Sequence, residues 1–191
     1  GGRGGQSEAG GPGALLGSRS ALADRGSSYA ALTNLPGRHL FLDRLEHAIA
    51  LQQDGASKRV DVLTQCDSTM FAVLLLDLNQ FKAVNDTLGH HVGDQLLQQV
   101  ARRLESCVRA VDLVARMSGD EFNVLLESVD HAGATDRARQ IAAALAAPYQ
   151  IGAHTVTCGA SIGVISSQAG VATTDDYRRA AGAARYQAKQ P

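Results

Sequence analysis

The sequence predicts an α+β fold, a mixed α/β sandwich with helices flanking one central sheet. Three observations carry that expectation. Residues 71–76 form an unbroken apolar run ending at Asp77, the length of a strand buried on both faces and therefore central in its sheet. Val92, Leu96, Leu97, Val100, Leu104 and Val108 recur at the 3.6-residue period of an amphipathic helix. The short apolar segments 113–117 and 122–126 are joined by Ser118-Gly119-Asp120, a turn signal that makes the pair a hairpin. Strands, hairpins and helices therefore intermix around one core.

The remaining elements follow in order. Residues 1–28 crowd Gly and Ser and read as a flexible linker or tail, leaving 29–191 as the folded domain. Pro36 is placed to open a helix, where its missing N–H costs nothing, with Phe41, Leu42, Leu45, Ile49 and Leu51 at helical spacing behind it. Residues 54–69 read as a long polar loop. Residues 81–88 look like a short helical turn closed by Gly89. A helix over 134–147 is stopped by Pro148, and 149–157 form a second hairpin around Gly152-Ala153. A strand over 160–166 and a helix over 175–189 end the chain. No internal repeat is evident.

Composition narrows the function classes. The chain has 191 residues, 45% of them hydrophobic, which suffices for one domain with a real core. Aromatics are only 4% and Trp is absent, which argues against a stacking platform for single-stranded nucleic acid. The formal net charge is -1, so no global basic field draws DNA or an anionic membrane. A nucleic-acid polymer is thus not an expected partner, and any phosphate ligand needs a local site. Cys66, Cys107 and Cys158 are far apart and form no CxxC pair, so they read as reduced thiols rather than a zinc site or disulfide framework. With no signal peptide and no apolar run long enough to span a bilayer, the chain reads as a cytoplasmic piece of a longer parent, which could itself be membrane-anchored.

Two acidic positions stand out on this map. Asp77 sits where the buried strand exits, and ligands gather at such strand ends. Asp120 and Glu121 sit at a hairpin tip whose Gly119 lets backbone approach a ligand closely. Two carboxylates from separate turns suit Mg²⁺, a hard cation that takes a few carboxylates plus substrate phosphates. On spacing alone the same residues read first as solvated turn acids, the usual role of such residues.

The wider text is more specific. Asp77-Leu78-Asn79-Gln80-Phe81-Lys82 is followed by Asn85-Asp86-Thr87-Leu88-Gly89-His90 and Gly93-Asp94, then by Arg116-Met117-Ser118-Gly119-Asp120-Glu121-Phe122. Leu32-Thr33-Asn34-Leu35-Pro36, Ala160-Ser161-Ile162-Gly163 and Tyr186-Gln187-Ala188-Lys189 add to the pattern. The whole closely resembles the GGDEF family of diguanylate cyclases, over residues 32–189. The resemblance implies a sheet like the palm of polymerases and cyclases. It also implies condensation of two GTP molecules into cyclic di-GMP, with release of pyrophosphate, by a homodimer.

By the same resemblance Asp77, Asp120 and the backbone carbonyl of Leu78 would ligate Mg²⁺ (or Mn²⁺). Asn85 and Asp94 would contact guanine, Lys82 and Lys189 the triphosphate, and Ser118 and Gly119 would lie against the nucleotide. Glu121 would assist a second metal or the attacking 3′-hydroxyl. Arg109 and Asp112 form an RxxD pattern separated from Ser118 by the five residues 113–117, the family's spacing for an inhibitory site that binds the product cyclic di-GMP. The plain alternatives are surface lysines, a turn-forming Asn85, an Asp94 that caps a helix, and an Arg109 that caps a helix end.

Departures from the family pattern are also visible. Ser118 replaces the signature's first Gly, and Gly37 a usual Asn. Ala30 stands where an Asp is usual, which would leave Arg116 without its partner. Gly182 and Arg185 replace an Asp and an apolar residue in the last helix. The second functional expectation is therefore a catalytically weak GGDEF domain that binds GTP or cyclic di-GMP and regulates an attached domain.

Overall fold

The computed structural model describes residues 29–57, 70–170 and 173–188. In chain order these form β1 (Tyr29–Ala30), β2 (Leu35–Pro36), α1 (Arg38–Ser57), β3 (Phe71–Leu78), α2 (Phe81–Leu88), α3 (His90–Ser106), β4 (Leu113–Ser118) and β5 (Glu121–Glu127). Then come α4 (His131–Ala146), β6 (Tyr149–Ile151), β7 (His154–Val156), β8 (Ala160–Ser166), a 3₁₀ turn (Ser167–Ala169) and α5 (Thr174–Ala188). The linker expected over 1–28 and the site lysine Lys189 lie outside the described residues.

The apolar run in β3 organises the molecule. β3 pairs antiparallel with β5 on one side and β8 on the other, giving a four-stranded sheet in the order β4-β5-β3-β8. Alternate side chains of a strand point to opposite faces. Ala72, Leu74, Leu76 and Leu78 thus enter one core with Leu96, Leu97 and Leu104 of α3 and Ile141 and Leu145 of α4. Phe71, Val73 and Leu75 enter the other, with Phe41 and Leu45 of α1 and Tyr177 of α5. Helices on both faces explain why β3 carries no polar residue before Asp77. The α+β expectation holds.

Several element boundaries differ from the sequence reading. Pro36 does not open a helix. It pairs with Tyr29 in the β1–β2 ladder, and α1 begins at Arg38. The turn between those strands is closed by Asn34 in the left-handed region, φ 56°, whose N–H bonds the Ala30 carbonyl at 2.8 Å. The ladder is held down by Leu35, which is fully buried in the α3 core. α1 runs through Ser57, past the expected loop start, and Leu51 is exposed rather than part of its buried stripe. Residues 81–88 are a full helix. Gly89, at φ 88° and ψ 160°, is its C-cap and the N-cap of α3, a backbone shape that only Gly adopts freely.

Away from the sheet end, Arg103 of α3 clamps the close of α4. Its Nη1 donates to the carbonyls of Ala144 at 2.9 Å and Ala147 at 2.6 Å, and its Nη2 to that of Pro148 at 3.1 Å. These carbonyls lie at and just beyond the end of α4, where helical pairing runs out, and the Ala144 carbonyl also accepts from the Ala147 N–H. The guanidinium also lies 3.7 Å from the centroid of the Tyr149 ring. Burial pushes the Tyr149 phenol up to about 12, so it stays neutral. Arg103→Ala is expected to lower stability by about 2 kcal/mol through these charged hydrogen bonds, read as a shift in urea midpoint at unchanged m-value. Among the described residues no helix is long and apolar enough to cross a membrane.

Candidate functional site

Asp77 and the turn after β4 meet at one end of the sheet. Register places Asp77 of β3 directly opposite Glu121 of β5 and Ser161 of β8. One residue further, the Leu78 N–H donates to the Asp120 carbonyl at 3.3 Å. The backbones carrying Asp77, Leu78, Asp120 and Glu121 are therefore neighbours across a single antiparallel pair, about 5 Å apart. Asp77 lies one residue inside the strand rather than beyond it, since β3 runs through Leu78. Asp77, Asp120 and Glu121 are all half-buried.

The β4–β5 turn is built to a definite shape. Arg116 pairs with Phe122 and Ser118 with Glu121, so Met117 is an extra residue, a bulge. Bulges of this kind re-aim side chains beside active sites. Gly119 takes φ 45°, a left-handed conformation that suits Gly, and the space around it is open. The Ser118 hydroxyl donates to Glu121 Oε2 at 3.0 Å. Arg116 is not left without a partner by Ala30: its Nε and Nη2 donate to the Gly119 carbonyl at 3.0 and 2.7 Å. Burial pulls the Arg116 pKa down, and the charges of Asp94 and Asp120 oppose that shift. Arg116 thus braces the turn while standing within electrostatic reach of both carboxylates.

A second brace comes from β8. Asn79, just after Leu78, donates its N–H to the Gly159 carbonyl at 2.8 Å, and its Oδ1 accepts from the Ser161 hydroxyl at 2.9 Å. Its carbonyl accepts from Cys158 Sγ at 3.1 Å. Burial pushes the Cys158 thiol up to about 11, with the charge of Asp120 adding to the shift, so the thiol stays protonated and can donate. Gln80 then turns the chain at φ 61° into α2. On α2 and α3, Lys82 and Asp94 are exposed and Asn85 is half-buried. Asp94 does not cap α3; it is the fifth residue of that helix, which starts at His90.

Arg109 and Asp112 lie apart from this end, in the connection from α3 to β4. Asp112 accepts from the Arg109 backbone N–H at 2.8 Å, from its Nε at 3.1 Å and Nη2 at 2.9 Å, and from the Glu127 N–H at 3.1 Å. The Asp112 side chain has no exposed surface, while that of Arg109 is 47% exposed. Both carboxylate oxygens of Asp112 are thus committed inside the protein. In this conformation Asp112 holds Arg109 rather than offering acceptors outward. The Arg109 reading as a helix-end cap is not what is seen, since its guanidinium bonds Asp112 and the Glu127 carbonyl.

Comparison with known proteins decides the family. The family described as "Diguanylate cyclase, GGDEF domain" matches residues 27–191. The chain belongs to the GGDEF family. The bifunctional diguanylate cyclase/cyclic di-GMP phosphodiesterase MucR of Pseudomonas aeruginosa is 44% identical over 158 residues, covering 83% of this chain and 21% of MucR. A sensory box/GGDEF family protein from Caulobacter crescentus has a structure similar at TM-score 0.72 and 34% identity, over 85% of this chain and 97% of that one. The GGDEF domain of PA1120 (YfiN or TpbB) from Pseudomonas aeruginosa is similar at TM-score 0.71 and 35% identity, over 82% and 91% of the two chains. The chain spans about a fifth of the length of MucR, so MucR contains far more than this domain.

For this GGDEF domain the donor set fits a hard divalent cation. Asp77, Asp120 and the Leu78 carbonyl supply oxygen alone, the chemistry that Mg²⁺ and Mn²⁺ prefer. Among the described residues no three His, Cys, Asp or Glu side chains cluster as a metal cage. A cation here would complete its shell with substrate phosphates or water, the usual habit of Mg²⁺. The sequence points to these candidate oxygen donors by pattern, but not to the bracing contacts that Arg116, Asn79, Cys158 and Ser161 make. Their neighbourhood in the motif was the only signal, because a brace is defined by partners distant in sequence.

Proposed function

We propose that this chain is a diguanylate cyclase, condensing two GTP molecules into cyclic di-GMP. The observation that carries the proposal is the single sheet end where Asp77 faces Glu121 and the Asp120 backbone bonds Leu78, in a chain of the GGDEF family. Each 3′-hydroxyl oxygen attacks the α-phosphorus of the other GTP. The bond from that phosphorus to the bridging oxygen breaks, and pyrophosphate leaves. A cation held by Asp77, Asp120 and the Leu78 carbonyl would neutralise charge developing on the phosphoryl oxygens. Asn85 and Asp94 hold guanine, Lys82 and Lys189 the triphosphate, and Gly119 with Ser118 lets the nucleotide lie close to the backbone. Glu121, kept in place by the Ser118 hydroxyl, assists the attacking hydroxyl.

One nucleotide per domain is half a reaction, so two domains must face each other, as a symmetric pair does. Incubation with GTP and Mg²⁺ or Mn²⁺ is expected to yield cyclic di-GMP, resolved by chromatography. Specific activity is expected to rise with protein concentration until dimers saturate. GTP binding with no product at any concentration would overturn the cyclase reading in favour of a regulatory GGDEF domain. Turnover independent of concentration in a proven monomer would overturn the dimer.

A further inference from the structure

Asn85 and Gly93 meet where α2 packs on α3. Gly93 is buried, and a Cβ built on it would overlap Asn85 Oδ1 outright, while standing 2.9 Å from Asn85 Cγ and 3.4 Å from Phe81 Cζ. Phe81 and Asn85 are four residues apart on α2, so both side chains lie on one stripe of that helix. The Asn85 oxygen therefore occupies the space that a side chain at 93 would fill. That oxygen is also buried and accepts no hydrogen bond. An unpaired buried acceptor is costly, and the Cα–H groups of Gly93 offer only weak compensation. Alanine is the better helix former at an interior position, so the missing side chain here serves the neighbour rather than the helix.

We propose that Gly93 determines base specificity through Asn85, because the space its missing side chain leaves is what seats the Asn85 amide against α3 and fixes where it meets the base. The inference rests on reading Asn85 and Asp94 as the guanine contacts. The Asn85 amide then brings a donor and an acceptor to the base edge, and Asp94 supplies acceptors. Guanine offers the complement, with acceptors at O6 and N7 and a donor at N2, whereas adenine carries an N6 amine where guanine has O6. An amide pushed out of the space beside Gly93 would lose its register with the base edge, and with it the contrast between guanine O6 and adenine N6. Gly93 touches no substrate in this scheme; it is a positioning residue.

The test is a double-mutant cycle on this chain with non-hydrolysable GTP and ATP analogues, read by titration calorimetry, with thermal midpoints alongside. Gly93→Ala is expected to weaken the GTP analogue about tenfold and to narrow its preference over the ATP analogue. Asn85→Ala is expected to do the same, and Gly93→Ala to add nothing in the Asn85→Ala background. The double variant is expected to melt above Gly93→Ala alone, since the clash is removed, and this comparison holds even if the single variant folds poorly. Equal losses from Gly93→Ala in both backgrounds would overturn the proposal, as would a double variant no more stable than the single. Unchanged GTP binding by Asn85→Ala would overturn the guanine reading itself, and this proposal with it. Loss by Asn85→Ala without loss by Gly93→Ala would overturn the role of Gly93 alone.

Discussion

Asp120→Ala is expected to lower the rate of cyclic di-GMP formation by at least about 10²–10³-fold, the scale seen when one preorganised electrostatic group is lost, while the domain stays folded. The stability side follows from the turn. The Asp120 backbone carbonyl keeps its bond from the Leu78 N–H whatever the side chain. Gly119 keeps its left-handed φ, and Arg116 keeps both bonds to the Gly119 carbonyl. The charge removed is half-buried and stands near Arg116, and a charge pair this open to water contributes less than about 1 kcal/mol. Activity and stability should therefore separate. Circular dichroism and thermal melts should match the parent while product chromatography falls to background. A variant that turns over GTP with unchanged kcat and KM would remove Asp120 from the chemistry.

The same turn shows what a sequence can and cannot carry. The run 71–76 revealed β3 because burial on both faces leaves no room for a polar residue, and that constraint is written residue by residue. Asp77 is legible as the charge that ends this run, and Asp120 as the acid of a Gly-containing hairpin turn. The brace around them was not. Arg116 looked stranded by Ala30, yet it bonds a carbonyl three residues along, and backbone carbonyls leave no trace in a sequence. Asn79 is held by Cys158, Gly159 and Ser161, a meeting that only the β3–β8 pairing creates. Pro36 misled because its missing N–H is equally harmless at a helix start and in a two-residue ladder. Asp94 looks like a cap because it stands just before the closely spaced apolar stripe from Leu96; Gly89, not an Asp, caps the start of α3.

Asp112→Ala is expected to lower stability by about 2–4 kcal/mol, the range for breaking a buried hydrogen-bonded charge pair, or roughly 5–15 °C in Tm for a domain of this size. The carboxylate has no exposed surface and accepts four hydrogen bonds, two of them from the backbone N–H groups of Arg109 and Glu127. Alanine leaves those donors unpaired and strands the Arg109 fork. The pH dependence has a definite sign. Burial by itself would raise the Asp112 pKa, but the Arg109 side-chain and backbone bonds, with the Glu127 N–H, outweigh it and hold the carboxyl below its ordinary value. A depressed carboxyl contributes stability that is complete above about pH 4 and is lost as pH falls through its folded value. The parent should therefore lose stability on acidification below about pH 4, and Asp112→Ala should flatten that limb. This architecture also sharpens the product-site question. Arg109→Ala should destabilise too, since Asp112 would stay buried without its counter-charge, so loss of fold alone proves nothing about binding. Calorimetry with cyclic di-GMP on folded Arg109→Ala separates the two roles. About a tenfold or greater loss of product affinity with GTP binding unchanged assigns the exposed part of Arg109 to a product site. Unchanged affinity leaves the pair as a clamp between α3, β4 and β5.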